Sequence, residues 1–451
     1  MADSFCSLIV GDDTKVRLED GRHVKAINFD NAATTPPLRA VMEAVCRYAP
    51  WYSSVHRGKG HKSVYSSALY ERARETVESF VGGGCDDVAV FTKNATESIN
   101  LLAALLRQNG DDSVILSTEM EHLANDLPWR EGFTIDFVKT GQSGKLILSD
   151  LETKLQHYGG RVKLVAVTGA SNVTGYKNPI HTVAALAHQY GAKILIDGAQ
   201  LIPHAPFAMR ESTSPYHIDY LVFSAHKMYA PFGTGVLIGP KDDLSAGLPL
   251  LQGGGAVDLV SQQFVKWLDA PERLEAGTPN MMGIVALAAA MEKLTELGRA
   301  ELECYETALI EYALDGMRTI PGVKLYSSQG GNEERVSLIS FAVEGFFHSE
   351  IAEMLAREAG IAVRSGLFCA HPYVEKLLHL SPKELAYYYS HDDVSVPGLV
   401  RISFGIYNCV QEIDVFLAVL EKISRNPDQY LRKYRTRDTR DARQVDRGNR
   451  C

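Results

Sequence analysis

The feature that most constrains this chain is an alternation of short apolar, β-branched runs with helical patterns, from about Asp87 to Pro240. This alternation is typical of parallel βαβ units, whose strands are covered by the helices that connect them. The sequence therefore predicts an α/β fold with a large, doubly wound, mainly parallel sheet and a ligand site at the carboxyl ends of its strands. The predicted strands are VAVFT (88–92), VILST (114–118), LVAVTG (164–169), ILID (194–197) and YLVFS (220–224).

The pattern changes along the chain and suggests how it divides into domains. After Gly277 come two long helical segments, followed by the strand-like runs VSLISFAV and VRISF. We expect a large domain over residues 26–290 and a smaller α+β domain made from 1–25 and 291–425. The stretch 426–451 is rich in Arg and Asp and poor in apolar residues, which favours a polar tail that forms a short helix at most and is otherwise disordered. Within the large domain, helices are predicted in SINLLAALLRQNG, ending at Gly110, and HTVAALAHQYG, ending at Gly191.

The bulk properties exclude several classes of function. A formal net charge of -9 gives no general attraction to nucleic acid or to an anionic membrane surface. No apolar run is long enough to span a bilayer or to form a signal-peptide core. The seven cysteines are scattered without CxxC spacing, which argues against a disulfide framework or a zinc site. We expect a cytoplasmic protein with small-molecule or protein partners and no metal.

Polar side chains follow every predicted strand, and parallel strands bring their carboxyl ends to one edge of a sheet. These residues are Thr96 and Glu97, His122, Asn172, Asp197 and Gln200, and Ser224, His226 and Lys227, in the order of the five strands. One crevice would collect them all.

The chemistry of this set suits one kind of ligand. KNATESIN opens a helix with hydroxyl groups and free backbone N–H groups, which suits a phosphate. A buried Asp197 needs a cationic or donor partner, such as a pyridinium nitrogen. A desolvated Lys227 can act as an amine nucleophile toward an aldehyde. Phosphate, pyridinium and aldehyde together describe pyridoxal 5'-phosphate (PLP).

Ten segments carry a resemblance over nearly the whole chain: INFDNAATTPP, SVHRGKGHKS, FTKNATESIN, EMEHLANDLPW, GASNVTGY, ILIDGAQLIPH, FSAHKMYAPFGTGVL, EAGTPN, VRSGLFCAHP and VRISFGIYN. With these motifs the chain resembles the class V aminotransferase family of fold-type I PLP enzymes. Within that family it is most similar to the cysteine desulfurase and selenocysteine lyase branch, especially the group II desulfurases. The resemblance implies an aspartate aminotransferase-like fold with PLP as cofactor.

The resemblance also implies a role for each matching residue around the cofactor. Lys227 would hold PLP as a Schiff base and then move the substrate's α proton. His122 would stack on the pyridine ring, and Asp197 would pair with the ring nitrogen. The phosphate would be held by Thr96, Ser224 and His226, and the ring hydroxyl and the substrate would be oriented by Gln200 and Asn172.

Three further residues are assigned by the resemblance outside that group. Thr278 belongs to a Gly-Thr-Pro turn that would reach the phosphate of a neighbouring subunit, which implies a homodimer. Arg401 would bind the substrate carboxylate in bidentate fashion, and Arg364 would lie near the same end of the site. Either arginine could instead belong to a structural ion pair.

Cys369 decides between reactions. In desulfurases of this branch, a cysteine ahead of Ala-X-Pro attacks the substrate sulfur and keeps it as a persulfide, with alanine as co-product. The implied activity is sulfur removal from L-cysteine, with a sulfur-acceptor protein as a further partner. Alternatives are a PLP-dependent C–S or C–Se lyase, an aminotransferase or epimerase acting on a bulkier amino acid, or a sulfur-transfer scaffold. Cys369 could also be a small buried hydrophobe.

The sequence departs from the group II pattern at three places. Leu367 and Phe368 stand where a pair of histidines commonly precedes the cysteine, and Leu123 stands where a second histidine often follows the first. Between Cys369 and Arg401, the segment HPYVEKLLHLSPKELAYYYSHDDVSVPG is longer than the typical link and has helical periodicity. This insertion, over about 371–399, predicts either a lid or docking element at the substrate mouth or a surface excursion.

Overall fold

The computed structural model describes residues 5, 7–107, 112–326, 334–391 and 394–434. The chain begins with three short strands outside the main sheet. These are β1 (Lys15–Arg17) and β2 (His23–Lys25), which pair antiparallel, and β3 (Ile27–Asn28). Two helices follow, α1 (Arg39–Tyr48) and α2 (His61–Val81).

A seven-stranded sheet forms the centre of the molecule. Its strands are β4 (Asp87–Thr92), β5 (Val114–Thr118), β6 (Thr134–Val138), β7 (Val162–Thr168), β8 (Lys193–Asp197), β9 (Tyr220–Ser224) and β10 (Gly235–Pro240), in the spatial order β4-β10-β9-β8-β7-β5-β6. All strands run in one direction except β10, which is antiparallel to both of its neighbours. The predicted α/β fold with a large, mainly parallel sheet is confirmed.

The helices linked to these strands are α3 (Ala95–Arg107), α4 (Leu148–Tyr158), α5 (Ile180–Gln189) and the short α6 (Lys241–Leu244). They cover both faces of the sheet, because successive strand residues point to opposite sides. In β9, for example, Leu221 and Phe223 join one apolar core, whereas Tyr220 and Val222 join the other. The predicted helix end at Gly110 lies outside the described residues.

The rest of the chain builds a hairpin and a second sheet. The hairpin is β11 (Val257–Val260) with β12 (Val265–Trp267), followed by α7 (Met281–Glu296) and α8 (Arg299–Arg318). The second sheet is antiparallel, in the order β13-β14-β17-β16. Its strands and neighbouring elements are β13 (Val323–Leu325), β14 (Leu338–Val343), α9 (His348–Ala359), β15 (Ile361–Ala362), β16 (Arg364–Gly366), α10 (His371–Leu377), α11 (Pro382–Ser390), β17 (Leu399–Ser403) and α12 (Val410–Arg425).

This second sheet has its own apolar core, formed mainly with α8, α9 and α12. The parallel pair of β15 with β3 ties the start of the chain to it. Residues 427–434 are helical, and Tyr430 and Tyr434 are buried against the same core. Packing thus extends beyond the predicted start of the tail at 426, and residues 435–451 lie outside the described part of the chain.

Candidate active site

The register of the central sheet brings the ends of its strands together. Thr168 at the end of β7 pairs with Asp197 at the end of β8, and Ser224 at the end of β9 pairs with Gly235 at the start of β10. A cavity of about 490 Å³ opens at this edge. Eleven of the twelve predicted site residues line it: Thr96, His122, Asn172, Asp197, Gln200, Ser224, His226, Lys227, Arg364, Cys369 and Arg401.

Lys227 lies in a 3₁₀ turn that follows β9 directly. Burial lowers the pKa of its ammonium group from the usual 10.5 to about 8. The negative charge of Asp197 opposes this shift, and the positive charge of Arg401 adds to it. An amine with this pKa exchanges protons readily near neutral pH, which is what a nucleophile and acid/base requires.

His122 and Asp197 face the same space from adjoining elements. Nδ1 of His122 accepts a hydrogen bond from the backbone N–H of Ala124 at 3.0 Å, so the neutral ring carries its proton on Nε2. Burial, with the charge of Lys227, lowers the pKa of His122 and keeps the ring neutral. Asp197 is buried, and its Oδ1 accepts from the backbone N–H of Ala199 at 3.0 Å.

The start of α3 forms the end of the cavity that suits a phosphate group. Ser224 Oγ accepts from the backbone N–H of Ala95 at 2.8 Å, so the hydroxyl proton of Ser224 remains available to another acceptor. The beginning of the helix also supplies the positive end of its dipole beside Thr96. Burial, followed by the charge of Lys227, lowers the pKa of His226 to about 4, so this ring is neutral at physiological pH.

Gly235 makes this arrangement possible. A Cβ at this position would lie 2.4 Å from the Cα and carbonyl carbon of Asn94, the residue just before α3. The glycine in FGTG therefore permits β10 to lie against the turn that begins the anion site. This is a packing reason for the motif, independent of the lysine beside it.

Gln200 is held by one end of its amide and left open at the other. Its Nε2 donates to the carbonyl oxygen of Ala32 at 2.7 Å. Its Oε1 is buried and has no hydrogen-bond partner among the described residues. A buried acceptor of this kind needs a donor from a ligand.

Arg401, in β17, is buried at the other end of the cavity. Its Nη1 donates to the carbonyl oxygen of Asn172 at 2.8 Å, and its Nη2 lies 3.5 Å from Oδ1 of Asp30. Its Nε has no hydrogen-bond partner among the described residues, and the guanidinium carbon lies 4.9 Å from the centre of the Phe368 ring. Burial lowers the pKa of Arg401 to about 10, and the group remains a cation at neutral pH.

Arg364 stands on the neighbouring strand, directly opposite Arg401 in the register of β16 with β17. It is exposed, and its Nε lies 3.7 Å from Oδ2 of Asp30. The two arginines thus flank one carboxylate. Both line the cavity, so an ion pair with Asp30 and contact with a ligand are compatible.

Cys369 is exposed at the mouth of the cavity on a constrained loop. Phe368 and Cys369 have φ values of 52° and 53°, a left-handed conformation that is unfavourable for residues with a side chain. Their carbonyl oxygens are held by Asn172 Nδ2 at 2.8 Å and by the backbone N–H of Leu123 at 2.7 Å. Cys369 lines the cavity, and a negative charge on its sulfur would lie near enough to Lys227 and Arg401 to interact with both. Cys369 is therefore not a buried hydrophobe.

Glu97, which the strand-end pattern also placed in the crevice, instead lines a different cavity. Thr278 is the one residue with an assigned role that lies elsewhere. It is exposed and lines two other cavities, one with Lys93 and Asn280 and one with Arg57 and Gly255. The structure does not bring it into the cleft of its own chain. Its predicted contact with a neighbouring subunit stays a prediction.

Two residues at the site were not predicted. Asp30 lies between the arginines, and its position in INFDNAATTPP, just after β3, was the signal that could have indicated it. Glu121, in EMEHLAN, is fully buried and accepts hydrogen bonds from Asn125 at 2.7 Å and from the backbone N–H of Thr168 at 3.0 Å. Burial raises the pKa of Glu121 to about 8. It anchors the turn that carries His122 to the end of β7.

The comparison with protein families decides the relationship. The family model described as aminotransferase class-V matches residues 27–416. The chain belongs to the class V aminotransferase family. A cysteine desulfurase from Pectobacterium atrosepticum is 35% identical over 409 residues, which cover 88% of this chain and 93% of that protein. A solved structure of an apo cysteine desulfurase from Thermococcus onnurineus has a TM-score of 0.79 and 32% identity, covering 89% of this chain and 95% of that one.

Some relatives are longer than this chain. A probable cysteine desulfurase from Mycolicibacterium paratuberculosis is 36% identical over 406 residues, which cover 88% of this chain but 55% of that protein. The chain thus spans about half the length of this relative. The predicted resemblance to the cysteine desulfurase branch of the class V family is confirmed.

This class V family implies PLP as cofactor in general, and the side chains of the cavity fit that group. The amine of Lys227 suits the aldehyde, and the buried carboxylate of Asp197 suits the ring nitrogen. The orphaned Oε1 of Gln200 suits a ring hydroxyl as donor, and the start of α3 with Ser224 suits the phosphate.

Among the described residues, none of the helices combines the length and the apolar character that a membrane-spanning helix requires.

Proposed function

We propose that this chain is a PLP-dependent cysteine desulfurase that takes sulfur from L-cysteine, holds it as a persulfide on Cys369 and releases L-alanine. The observation that carries the proposal is the position of the exposed thiol of Cys369 in the cavity that also contains Lys227 and Arg401. PLP, when bound, draws electrons from the substrate's α carbon and so makes the α proton removable. The residues that would hold PLP are Lys227, His122, Asp197, Gln200, Ser224, His226 and Thr96.

Arg401 binds the substrate carboxylate in this account. Its buried Nε has no hydrogen-bond partner among the described residues, so a substrate carboxylate would supply the missing acceptor, and its Nη1 bond to the carbonyl oxygen of Asn172 restricts the orientation of the guanidinium. Arg364 adds positive charge from the exposed side. Asn172 then positions the arginine and, through Phe368, the loop of the nucleophile at the same time.

Lys227 moves the proton. With a pKa of about 8, its amine can accept the α proton of the substrate and return a proton to the product carbon. His122 stays neutral at physiological pH because burial lowers its pKa, so it adds no positive charge beside Lys227. Arg401 and Lys227 also supply nearby positive charge for the thiolate of Cys369.

Cys369 performs the sulfur transfer. Its thiolate attacks the substrate sulfur, an S–S bond forms, and the Cβ–S bond of the substrate breaks. The electron pair of the broken bond stays on the substrate, whose β carbon takes up a proton, so that alanine leaves. The exposed persulfide is then open to a thiol of an acceptor, which we propose to be a sulfur-acceptor protein.

We also propose that the chain acts as a homodimer. Seven large apolar side chains are exposed on the hairpin β11–β12 and the segment before it: Leu248, Leu250, Leu251, Leu259, Val260, Phe264 and Val265. Exposed apolar side chains concentrated in one segment of the chain in this way favour a protein interface. Thr278 is exposed and lines a cavity with Gly255 and Leu268, which flank the hairpin. A second copy bound to the hairpin would therefore lie close to Thr278.

The test is to incubate the PLP-loaded protein with L-cysteine and with S-substituted cysteines, and to measure alanine, pyruvate and sulfide. We expect alanine from L-cysteine and none from the S-substituted compounds. Replacing Cys369 with Ala should abolish alanine release, because Cys369 is the only thiol among the described residues that line the cavity.

The control variant is Cys304→Ala, which removes an exposed cysteine outside the cavity and should leave alanine release unchanged. Pyruvate from S-substituted cysteines that persists in the Cys369→Ala variant would identify a β-eliminating lyase and overturn the proposal. Negligible turnover together with tight association to another protein would favour a scaffold.

A further inference from the structure

Three metal-ligating side chains converge at the end of the central sheet opposite the candidate active site. His188 lies in the last turn of α5, and His217 and Asp219 come just before β9. One ligand atom from each residue lies within 4.8 Å of the other two. The two imidazole rings are stacked, with centroids 4.2 Å apart. The proposed sulfur transfer does not use this cluster.

Hydrogen bonds fix which nitrogen of each ring carries the proton. Nδ1 of His188 lies 2.8 Å from the carbonyl oxygen of Pro215, and Nδ1 of His217 lies 2.6 Å from that of Ser214. A carbonyl oxygen can only accept, so both Nδ1 atoms carry hydrogen. Each neutral ring therefore presents the lone pair of Nε2. These atoms lie 2.8 Å and 3.3 Å from the two oxygens of Asp219.

This arrangement places three lone-pair donors around one point. A cation between the three atoms satisfies them together, and the backbone carbonyls then fix the tautomers, as acceptors behind metal-binding histidines do.

We propose that His188, His217 and Asp219 bind a divalent transition-metal ion through the two Nε2 atoms and the carboxylate, with Zn²⁺ as the representative ion. Imidazole and carboxylate are common ligands of zinc. Two ligands at about 2.0–2.1 Å from a tetrahedral zinc ion lie about 3.3–3.4 Å apart, so the 2.8 Å contact has to lengthen by about 0.5 Å.

The surroundings suit such an ion. The side chains of His188 and His217 are 17% and 20% exposed, which leaves an entry path and room for water to complete the coordination. Asp219 is held in place because its Oδ2 also accepts from the backbone N–H of Ile194 at 2.9 Å. Asp87 adds a second nearby negative charge, and Lys193 adds an opposing positive one.

The ion would join three separate pieces of the chain. They are the end of α5, the segment before β9 and, through Asp219, the start of β8. Binding to the folded state alone raises stability by mass action. We therefore assign the ion a structural role at the end of the sheet away from the cleft.

The experiment uses the full chain with PLP bound, freed of metal by chelator and dialysis, and titrated with Zn²⁺ in a calorimeter. We expect one ion per chain and a Tm about 2–3 °C higher when free zinc is a hundredfold above Kd. His217→Gln and Asp219→Asn should each weaken binding at least tenfold. His157→Gln, at an exposed histidine outside the cluster, should leave zinc binding unchanged.

Co²⁺ provides a second readout on the unaltered protein, because its visible bands report the ligand set and depend on no variant that could misfold. Bands of a nitrogen- and oxygen-ligated site that vanish in Asp219→Asn support the proposal. Absence of binding, equal binding by all variants, or thiolate-type bands that vanish when exposed cysteines are blocked would overturn it. Each outcome is separate from sulfur transfer, which requires Cys369 and not this cluster.

Discussion

Lys227 shows at the residue scale how burial adapts an ordinary amine to chemistry. The sequence was sufficient to indicate this lysine, because it follows a strand directly and precedes a glycine-rich turn. The shift of its pKa to about 8 comes from burial and from the charge of Arg401. Both arise only in the folded chain, where distant segments surround the amine. The role of Asp30 escaped sequence reasoning for the same reason, since both of its arginine partners lie more than 300 positions away.

The first prediction concerns the pH at which this amine reacts. The pKa of Lys227 is lowered, so the amine is mostly protonated below about pH 8 and becomes a nucleophile as the pH rises through that value. The rate at which the apoprotein captures PLP, followed by visible absorbance, should rise with pH and level off above about pH 8. A rate that continues to rise toward pH 10.5 would contradict the account. Lys227→Ala should show no capture.

The second prediction concerns Phe368, which directly precedes Cys369. Its ring lies under the guanidinium of Arg401, a cation–π contact worth about 0.5–2 kcal/mol. Phe368→Leu should therefore raise KM for L-cysteine about threefold or more with a smaller change in kcat, whereas Phe368→Tyr should retain the wild-type KM. Equal KM values for all three proteins would show that the ring does not position Arg401.

At the element scale, five of the seven strands of the central sheet were predicted from the sequence, and β6 and β10 were missed. Predicted strands 114–118 and 220–224 coincide with β5 and β9, because both are buried on all sides and are rich in β-branched or aromatic residues. β6 was missed because it is a partly exposed edge strand, which carries a weaker apolar signal. β10 was missed because glycines flank its apolar core and it runs against its neighbours.

The third prediction concerns Gly235, the first residue of β10. A methyl group there would overlap the backbone of Asn94 and displace the start of α3. Overpacking of this kind costs about 1–3 kcal/mol, so Gly235→Ala should weaken PLP binding about tenfold. Gly254→Ala is the matched control, because a Cβ at that position meets nothing within 4 Å. Equal PLP affinity in the two variants, measured by absorbance titration, would rule out this role for Gly235.

For the whole molecule, the sequence indicated the class of site but not its assembly. The resemblance gave the family, and the fold places eleven of the twelve predicted residues in one cavity. Thr278 lies outside that cavity, and its predicted contact with a neighbouring subunit stays a prediction. The expectation of no metal was based partly on cysteine spacing. Cysteine spacing does not detect histidines that lie on different elements of the fold, such as His188 and His217 of the proposed zinc site.

The prediction for the assembly is that the chain forms a dimer through the exposed hairpin. Leu259→Glu with Phe264→Glu should give a monomer with weakened PLP binding, because charges are placed on the apolar surface and Thr278 loses its proposed target. Val415→Glu, at an exposed apolar position on α12, is the control and should remain dimeric. Light scattering after gel filtration gives the mass. A fully active wild-type monomer would exclude the proposed assembly.

The most direct measurement of the central proposal is the mass of the intact protein after a brief incubation with L-cysteine and no acceptor thiol. We expect added mass equal to one sulfur atom, mapped by peptide analysis to Cys369, with one alanine released for each sulfur retained. Both signals should disappear in Cys369→Ala and in Lys227→Ala. Alanine release without sulfur on Cys369, or sulfur at another cysteine with Cys369 unmodified, would contradict it.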